Sequence, residues 1–265
     1  MDNHESNVKL YFLRGKDDFF KGNYQNCIRD LIYAQEMFTT MGKTKEAAES
    51  LFMLGEAYFQ LQQFSQAKGM FSQAFTSYKK INNLRRVGEC ALSLGEIYRN
   101  QGEFKLSKQY LSESIEIFKK LKDLEKIADT WRELANTYQI SLDAGSSQSM
   151  HIVNAFKNAI TIYKKLKKEA KKAETELDLG YVLISQSKSE EALKYLTSAH
   201  EYYRKRKDEE NVITLLILIG RIYFETGKKS KAKDYMNKAI THMKNADYSS
   251  EKIKRLTDTI ISMFQ

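Results

Sequence analysis

The chain has 265 residues, 42% hydrophobic and 29% charged, with no proline and only 12 glycines. Sheet-rich folds need many tight turns, and turns draw heavily on glycine and proline, so this composition points to an all-α protein. The net charge of +9 permits an anionic partner without choosing among nucleic acid, lipid and acidic protein. It is unevenly placed: residues 1–140 carry 20 basic and 18 acidic side chains, residues 141–265 carry 23 and 16.

The longest apolar run, Val212 to Ile219 interrupted by Thr214, falls far short of the roughly 20 residues that a membrane-crossing helix needs. The first six residues are polar and acidic, so no secretory signal is expected. Cys27 and Cys90 are too few for a disulfide framework and point to a reducing compartment, the cytoplasm.

Taken in chain order, six segments align on a small residue: Gly15, Gly55, Gly95, Ala135, Gly180 and Gly220, spaced by 40, 40, 40, 45 and 40. An aromatic or apolar residue follows three positions later at Tyr58, Tyr98, Tyr138, Leu183 and Tyr223, with Asp18 the exception. Nineteen positions after the small residue stands another, at Ala34, Ala74, Ser114, Ala199 and Ala239. Twenty-three positions after it stands a large one, at Phe38, Tyr78, Phe118, Tyr203 and Met243. In the fourth unit both are displaced by five, to Ala159 and Tyr163, which places an insertion inside that unit.

Each unit reads as two helices. Leu51, Leu54, Gly55 and Tyr58 share one helical face. Gly102 is suited to end a helix in the left-handed conformation. The small residues mark places where two helices cross closely. One hairpin cannot cover its own apolar face, so neighbours must stack into an α-solenoid with a continuous core. The predicted units span about 5–42, 43–82, 83–122, 123–168, 169–208 and 209–246 of a single domain over 1–265. Ser250 to Phe264 then predicts a capping helix with Ile253, Leu256, Ile260 and Met263 inward.

Trp131, Leu134, Ala135 and Tyr138 in a first helix, with Ala67, Phe71 and Ala74 in a second, resemble the tetratricopeptide repeat (TPR) family over about residues 8–245. The family's usual proline at the end of the second helix is absent; Lys79, Lys119, Lys164 and Arg204 stand there, and the helix is expected to continue. Tyr11 to Phe19, Tyr24 and Leu54-Gly-Glu-Ala-Tyr58 are similar in layout to the repeats of bacterial Rap-type peptide receptors. Those receptors carry their regulator-binding activity on an additional N-terminal bundle, so a phosphatase-like role is not expected to carry over. What the resemblance implies is a repeat scaffold that binds protein or peptide.

No catalytic constellation is visible. His4, His151, His200 and His242 lie in different repeats without metal-ligand spacing, and no phosphate-binding loop or nucleophile elbow occurs. His200 reads as a half-exposed helix residue. Cys27 shares the small core position of Ala67, Ala192 and Ala232 and reads as a buried, inert thiol, while Cys90 lies beside a packing face. The expectation is a non-enzyme with no cofactor and no metal.

In a TPR stack the first helices line the concave surface, so the candidate groove lies opposite their packing stripe. Those positions hold Glu49, Phe52, Glu56, Phe59 and Gln60 in the second unit, then Glu89, Leu92, Glu96, Arg99 and Asn100 in the third. The fourth offers Asp129, Arg132, Asn136, Gln139 and Ile140, and flanking units offer Lys9, Phe12, Lys16, Tyr181, Ser185, Arg221 and Phe224. Glu49, Glu56, Glu89, Glu96 and Asp129 form an acidic strip at repeat spacing, with Arg99, Asn100, Arg132 and Asn136 as a mixed patch farther along. Such a groove suits an extended peptide or helix, including one with basic residues; for any one of these side chains a solvated helix face is the alternative. The carboxylates speak against the Lys/Asn/Lys/Arg clamp of chaperone-tail TPR proteins.

The lysines recur at second-helix ends, where they complement the helix dipole by about 0.3–1 kcal/mol each. Lys164 to Lys172 with Arg204 to Lys207 could also form a basic ridge, without the aromatic platforms of single-strand binders. Ser141 to Ser149 is the one loop-like stretch of any length. The leading expectation is a protein- or peptide-binding adaptor or scaffold. A Rap-like sensor of a signalling peptide and a basic module for nucleic acid or anionic membrane stand as alternatives; nothing in the pattern indicates the oligomeric state.

Overall fold

A computed structural model describes the backbone of residues 2–141 and 146–264. Among these residues it contains thirteen α-helices and no strand. Internal packing divides the chain into two compact units, 1–141 and 142–265, and each is described by itself.

The first unit contains α1 (Asp2–Phe20), α2 (Tyr24–Thr40), α3 (Thr44–Gln60), α4 (Phe64–Lys80), α5 (Leu84–Asn100), α6 (Phe104–Leu121) and α7 (Leu124–Ile140). Consecutive helices pack as hairpins, and each hairpin packs on the next. First helices also touch across a repeat, α1 with α3 and α5 with α7, so they form the closer-spaced layer of the stack.

One device makes every described turn. A left-handed residue falls twenty positions after the last, at Gly22, Gly42, Gln62, Asn82, Gly102 and Lys122. It lets the next amide reach back to the carbonyl five residues earlier: Gln63 donates to Tyr58 at 2.9 Å and Asn83 to Tyr78 at 3.0 Å. Non-glycine residues fill this position at a cost on the order of 1 kcal/mol each. Low glycine content therefore did not mean few turns. The helices continue past the missing prolines at Lys79 and Lys119, but only by one or two residues: α4 ends at Lys80 and α6 at Leu121. Asn83 and Asp123 open α5 and α7 by accepting from the amides of Arg86 and Lys126, each cap being worth about 1 kcal/mol.

The core follows the repeat register. Ala34, Ala74, Phe38, Tyr78 and Phe118 are buried, as are Ala67 and Phe71. The small residues sit where the two helices of a hairpin cross: a Cβ on Gly95 would lie 2.6 Å from Leu111 Cγ. Cys27 and Cys90 are both fully buried; Cys90 is in the core itself rather than beside it. Burial pushes the Cys27 thiol up to about 12 and raises that of Cys90 as well, which keeps both protonated.

The second unit contains α8 (Ser146–Lys165), α9 (Glu169–Ser185), α10 (Ser189–Arg206), α11 (Glu209–Glu225), α12 (Lys229–Asn245) and α13 (Ser250–Phe264). The same turn recurs at Lys167, Ser187, Lys207, Gly227 and Asp247. α8 has 20 residues where its neighbours have 17 or 18. Of the stretch expected to be a loop, residues from Ser146 onward are thus helical, because the chain continues the α8 spiral outward; residues 142–145 lie outside the described ones. Leu256 packs on Val212, Leu216 and Ala239, Ile260 is buried and Ile253 is half-buried, so α13 covers the end of this unit. The Met263 side chain lies outside the described residues. His200 is half-buried, and His242 Nδ1 lies 2.6 Å from Glu209 Oε2.

Candidate ligand-binding cleft

The first helices of unit 1 line a cleft of about 540 Å³. α1 contributes Lys16, Phe19 and Phe20, all just after its small residue Gly15. α3 contributes Glu49, Phe52, Met53, Glu56, Phe59 and Gln60, on both sides of Gly55. α5 contributes Arg86, Glu89, Leu92, Ser93 and Glu96, mostly before Gly95, and α7 only Lys126, near its start. The cleft therefore crosses the helices diagonally. Its α1 end is aromatic, with Phe20 74% exposed at the rim, and its far end is charged.

The carboxylates are unequal. Glu49 accepts from the Tyr78 hydroxyl at 2.7 Å and from Arg86. Glu89 accepts from Arg86 at 2.8 Å, and the Arg86 guanidinium lies 4.5 Å over the Phe52 ring. Glu56 receives only a long 3.4 Å bond from the Ser93 hydroxyl, and burial raises its pKa above the ordinary carboxylate value. Glu96 makes no hydrogen bond or ion pair among the described residues. Burial first, then the neighbouring Glu133 and Glu56 carboxylates, push it up to about 8 against the pull of Arg99 and Lys126. Within the cleft the expected acidic strip is thus two ion-paired carboxylates, Glu49 and Glu89, followed by two that make no ion pair, Glu56 and Glu96.

Of the residues predicted from sequence, the cleft brings together Lys16, Glu49, Phe52, Glu56, Phe59, Gln60, Glu89, Leu92 and Glu96. Arg99 is turned away to Glu133. Asp129, Arg132 and Asn136 are half-buried on α7, Asn100 and Gln139 are exposed, and none of these lines the cleft. Tyr181 and Arg221 belong to the second unit; Tyr181 is exposed and Arg221 pairs along its own helix with Glu225 at 2.9 Å. Sequence reasoning missed Phe19, Phe20, Met53, Arg86, Ser93 and Lys126. Arg86 and Lys126 share one register, nine before the small residue, and that shared register was the available signal.

The basic ridge is partly consumed internally: Lys172 pairs with Glu169 at 3.4 Å and Glu176 at 3.5 Å, and Arg204 with Glu201 at 3.0 Å. Among the described residues no three carboxylate, imidazole or thiol groups gather as metal ligands would. Also among them, no helix is long and apolar enough to cross a membrane.

Three family models described as tetratricopeptide repeat match residues 49–80, 89–125 and 154–245, together more than half of the chain. BtubC (BKLC) from P. vanneervenii is similar in structure, with TM-score 0.70 and 14% identity over 85% of this chain and 93% of that one. A Rap protein crystallised with competence and sporulation factor has TM-score 0.63 and 15% identity over 97% of this chain and 74% of its own. Among curated relatives, the type II methyltransferase M.CeqI of Rhodococcus hoagii is 30% identical over 80 residues, 30% of this chain, which spans only 16% of that protein's length. With the repeat register, the hairpin stack and these matches in agreement, the chain belongs to the tetratricopeptide repeat superfamily and is similar in fold to Rap proteins.

Proposed function

We propose that this protein is a non-catalytic, cytoplasmic adaptor or scaffold that takes an extended peptide or helix in the cleft of residues 1–141. The observation that carries the reading is the pair Glu56 and Glu96, cleft-facing carboxylates that make no ion pair, beside an aromatic wall. Burying a carboxylate without a partner costs stability, and a fold has little reason to retain two unless a ligand meets them. The test is affinity capture from source-cell lysate with wild type and with Glu56→Lys/Glu96→Lys, both checked for helical content. A partner retained by wild type and lost by the reversed protein is the expected result; equal capture by both would remove the cleft from consideration.

A sensor of a short signalling peptide is the second reading, favoured by the likeness to a Rap protein crystallised with competence and sporulation factor. It expects a decrease in radius of gyration by small-angle scattering on adding the cognate peptide.

A further inference from the structure

The cleft contains one arrangement twice, seven residues apart. In the first copy, Glu49 of α3 and Glu89 of α5 clasp the Arg86 guanidinium, which lies 4.5 Å above the Phe52 ring. Seven residues is close to two helical turns, so a shift of seven returns to the same face. Moving each position on by seven yields Glu56, Glu96 and Phe59, all of which line the cleft. The same shift turns Arg86 into Ser93, whose hydroxyl reaches Glu56 at 3.4 Å and brings no charge. The second copy keeps the two carboxylates and the ring, and lacks the guanidinium.

We propose that this second cradle receives a cationic side chain, an arginine guanidinium above all, from a peptide lying in the cleft. The inference rests on the peptide-binding role above and adds which ligand residue is read. Arg86 shows within the same cleft how two carboxylates from adjacent first helices and a phenyl ring hold a planar cation. No group facing Glu96 closes on it as an ion pair: Glu56 on α3 and Glu133 on α7 are acidic, Arg99 on its own helix is engaged by Glu133, and Lys126 on α7 attracts both cradle carboxylates without coming within ion-pair distance of either. The proton that Glu96 retains up to about pH 8 is what a bound guanidinium would displace. Binding should therefore release a proton at pH 7 and strengthen as pH rises toward 9.

The test selects binders to the full chain from a random heptapeptide display library at pH 8, then measures one enriched peptide by calorimetry in arginine, lysine and citrulline versions. Arginine should be enriched, and citrulline, which keeps the shape and loses the charge, should weaken binding by at least about tenfold. Glu56→Gln/Glu96→Gln, nearly isosteric, should weaken it similarly. Ser93→Arg should place a guanidinium in the cradle from the chain itself, abolish binding of the arginine peptide and raise Tm. Enriched peptides without Arg or Lys whose binding is lost in Phe59→Ala, equal affinity for the citrulline version, or full binding by the Glu56→Gln/Glu96→Gln protein would each overturn the cation seat and leave the peptide-binding role standing. A library that yields no binder overturns both.

Discussion

Gly69 and Gly95 offer a matched pair, because both lie inside helices and only one faces a neighbour. A Cβ on Gly69, in α4, meets nothing within 4 Å, whereas one on Gly95, in α5, would lie 2.6 Å from Leu111 Cγ and 2.7 Å from its Cδ2. Alanine improves helix propensity over glycine by about 0.8–1.0 kcal/mol in both cases. At Gly95 the fully buried Leu111 must move, and overpacking of this kind costs about 1–3 kcal/mol. Gly69→Ala should therefore stabilise by about 0.5–1 kcal/mol. Gly95→Ala should destabilise by up to about 2 kcal/mol once its propensity gain is subtracted, and Gly95→Leu by more. Urea unfolding followed by far-UV circular dichroism resolves both signs, with thermal midpoints moving in opposite directions, up by about 1–4 °C for Gly69→Ala and down by up to about 8 °C for Gly95→Ala. A rise in stability for Gly95→Ala equal to that for Gly69→Ala would refute the claim that small residues mark close helix crossings.

Glu176, 4% exposed, stands four before Gly180, where other repeats place Leu51, Ala91, Trp131 and Leu216, and its Oε2 has no hydrogen bond. Lys172 keeps Glu169 when Glu176 is removed, so Glu176→Leu should stabilise by about 1–3 kcal/mol, read as a higher Tm; a lower one would show that the Lys172 pair matters more than burial. Glu96 holds its proton more tightly folded than unfolded, so its contribution favours the fold at low pH and is lost as pH rises from about 4.5 through about 8. Glu96→Gln, which cannot ionise, should gain on wild type across that window and by a constant amount above it; urea midpoints at pH 5, 7 and 9 differing by one unchanging amount would contradict this.

Much of the architecture is local and was legible from residues alone. Helical period, the forty-residue register and the placement of Gly55, Gly95, Gly180 and their partners all depend on neighbours three, four and about twenty positions apart. That range suffices to place α1 to α13 in order and to single out the first-helix row, which lines the cleft. The turns were harder to see, because Gln62, Asn82 and Lys122 adopt the left-handed conformation that glycine would have advertised. Their hydrogen bonds come from the backbone, so side-chain identity carries little of the signal.

The cleft itself required the tertiary structure. The cleft runs obliquely to the first helices, from Phe20 at the end of α1 to Lys126 at the start of α7. A template of equal positions in every repeat cannot follow that diagonal. It included Arg99 and Asn136, which miss the cleft, and omitted Arg86, which lies in it. Nor could the sequence distinguish four similar glutamates. All are good helix formers on the same helix face, yet Arg86 and Tyr78 reach Glu49, Arg86 reaches Glu89, and no cation comes within ion-pair distance of Glu56 or Glu96. The sequence by itself determined the repeat, its helices and the face they turn outward, since those follow from periodic burial along one chain. Arg86 and Glu89 are one helical turn apart, but what reaches Glu49 and Glu56 was decided by side chains 29 to 37 residues away, whose distances only the stacked fold sets.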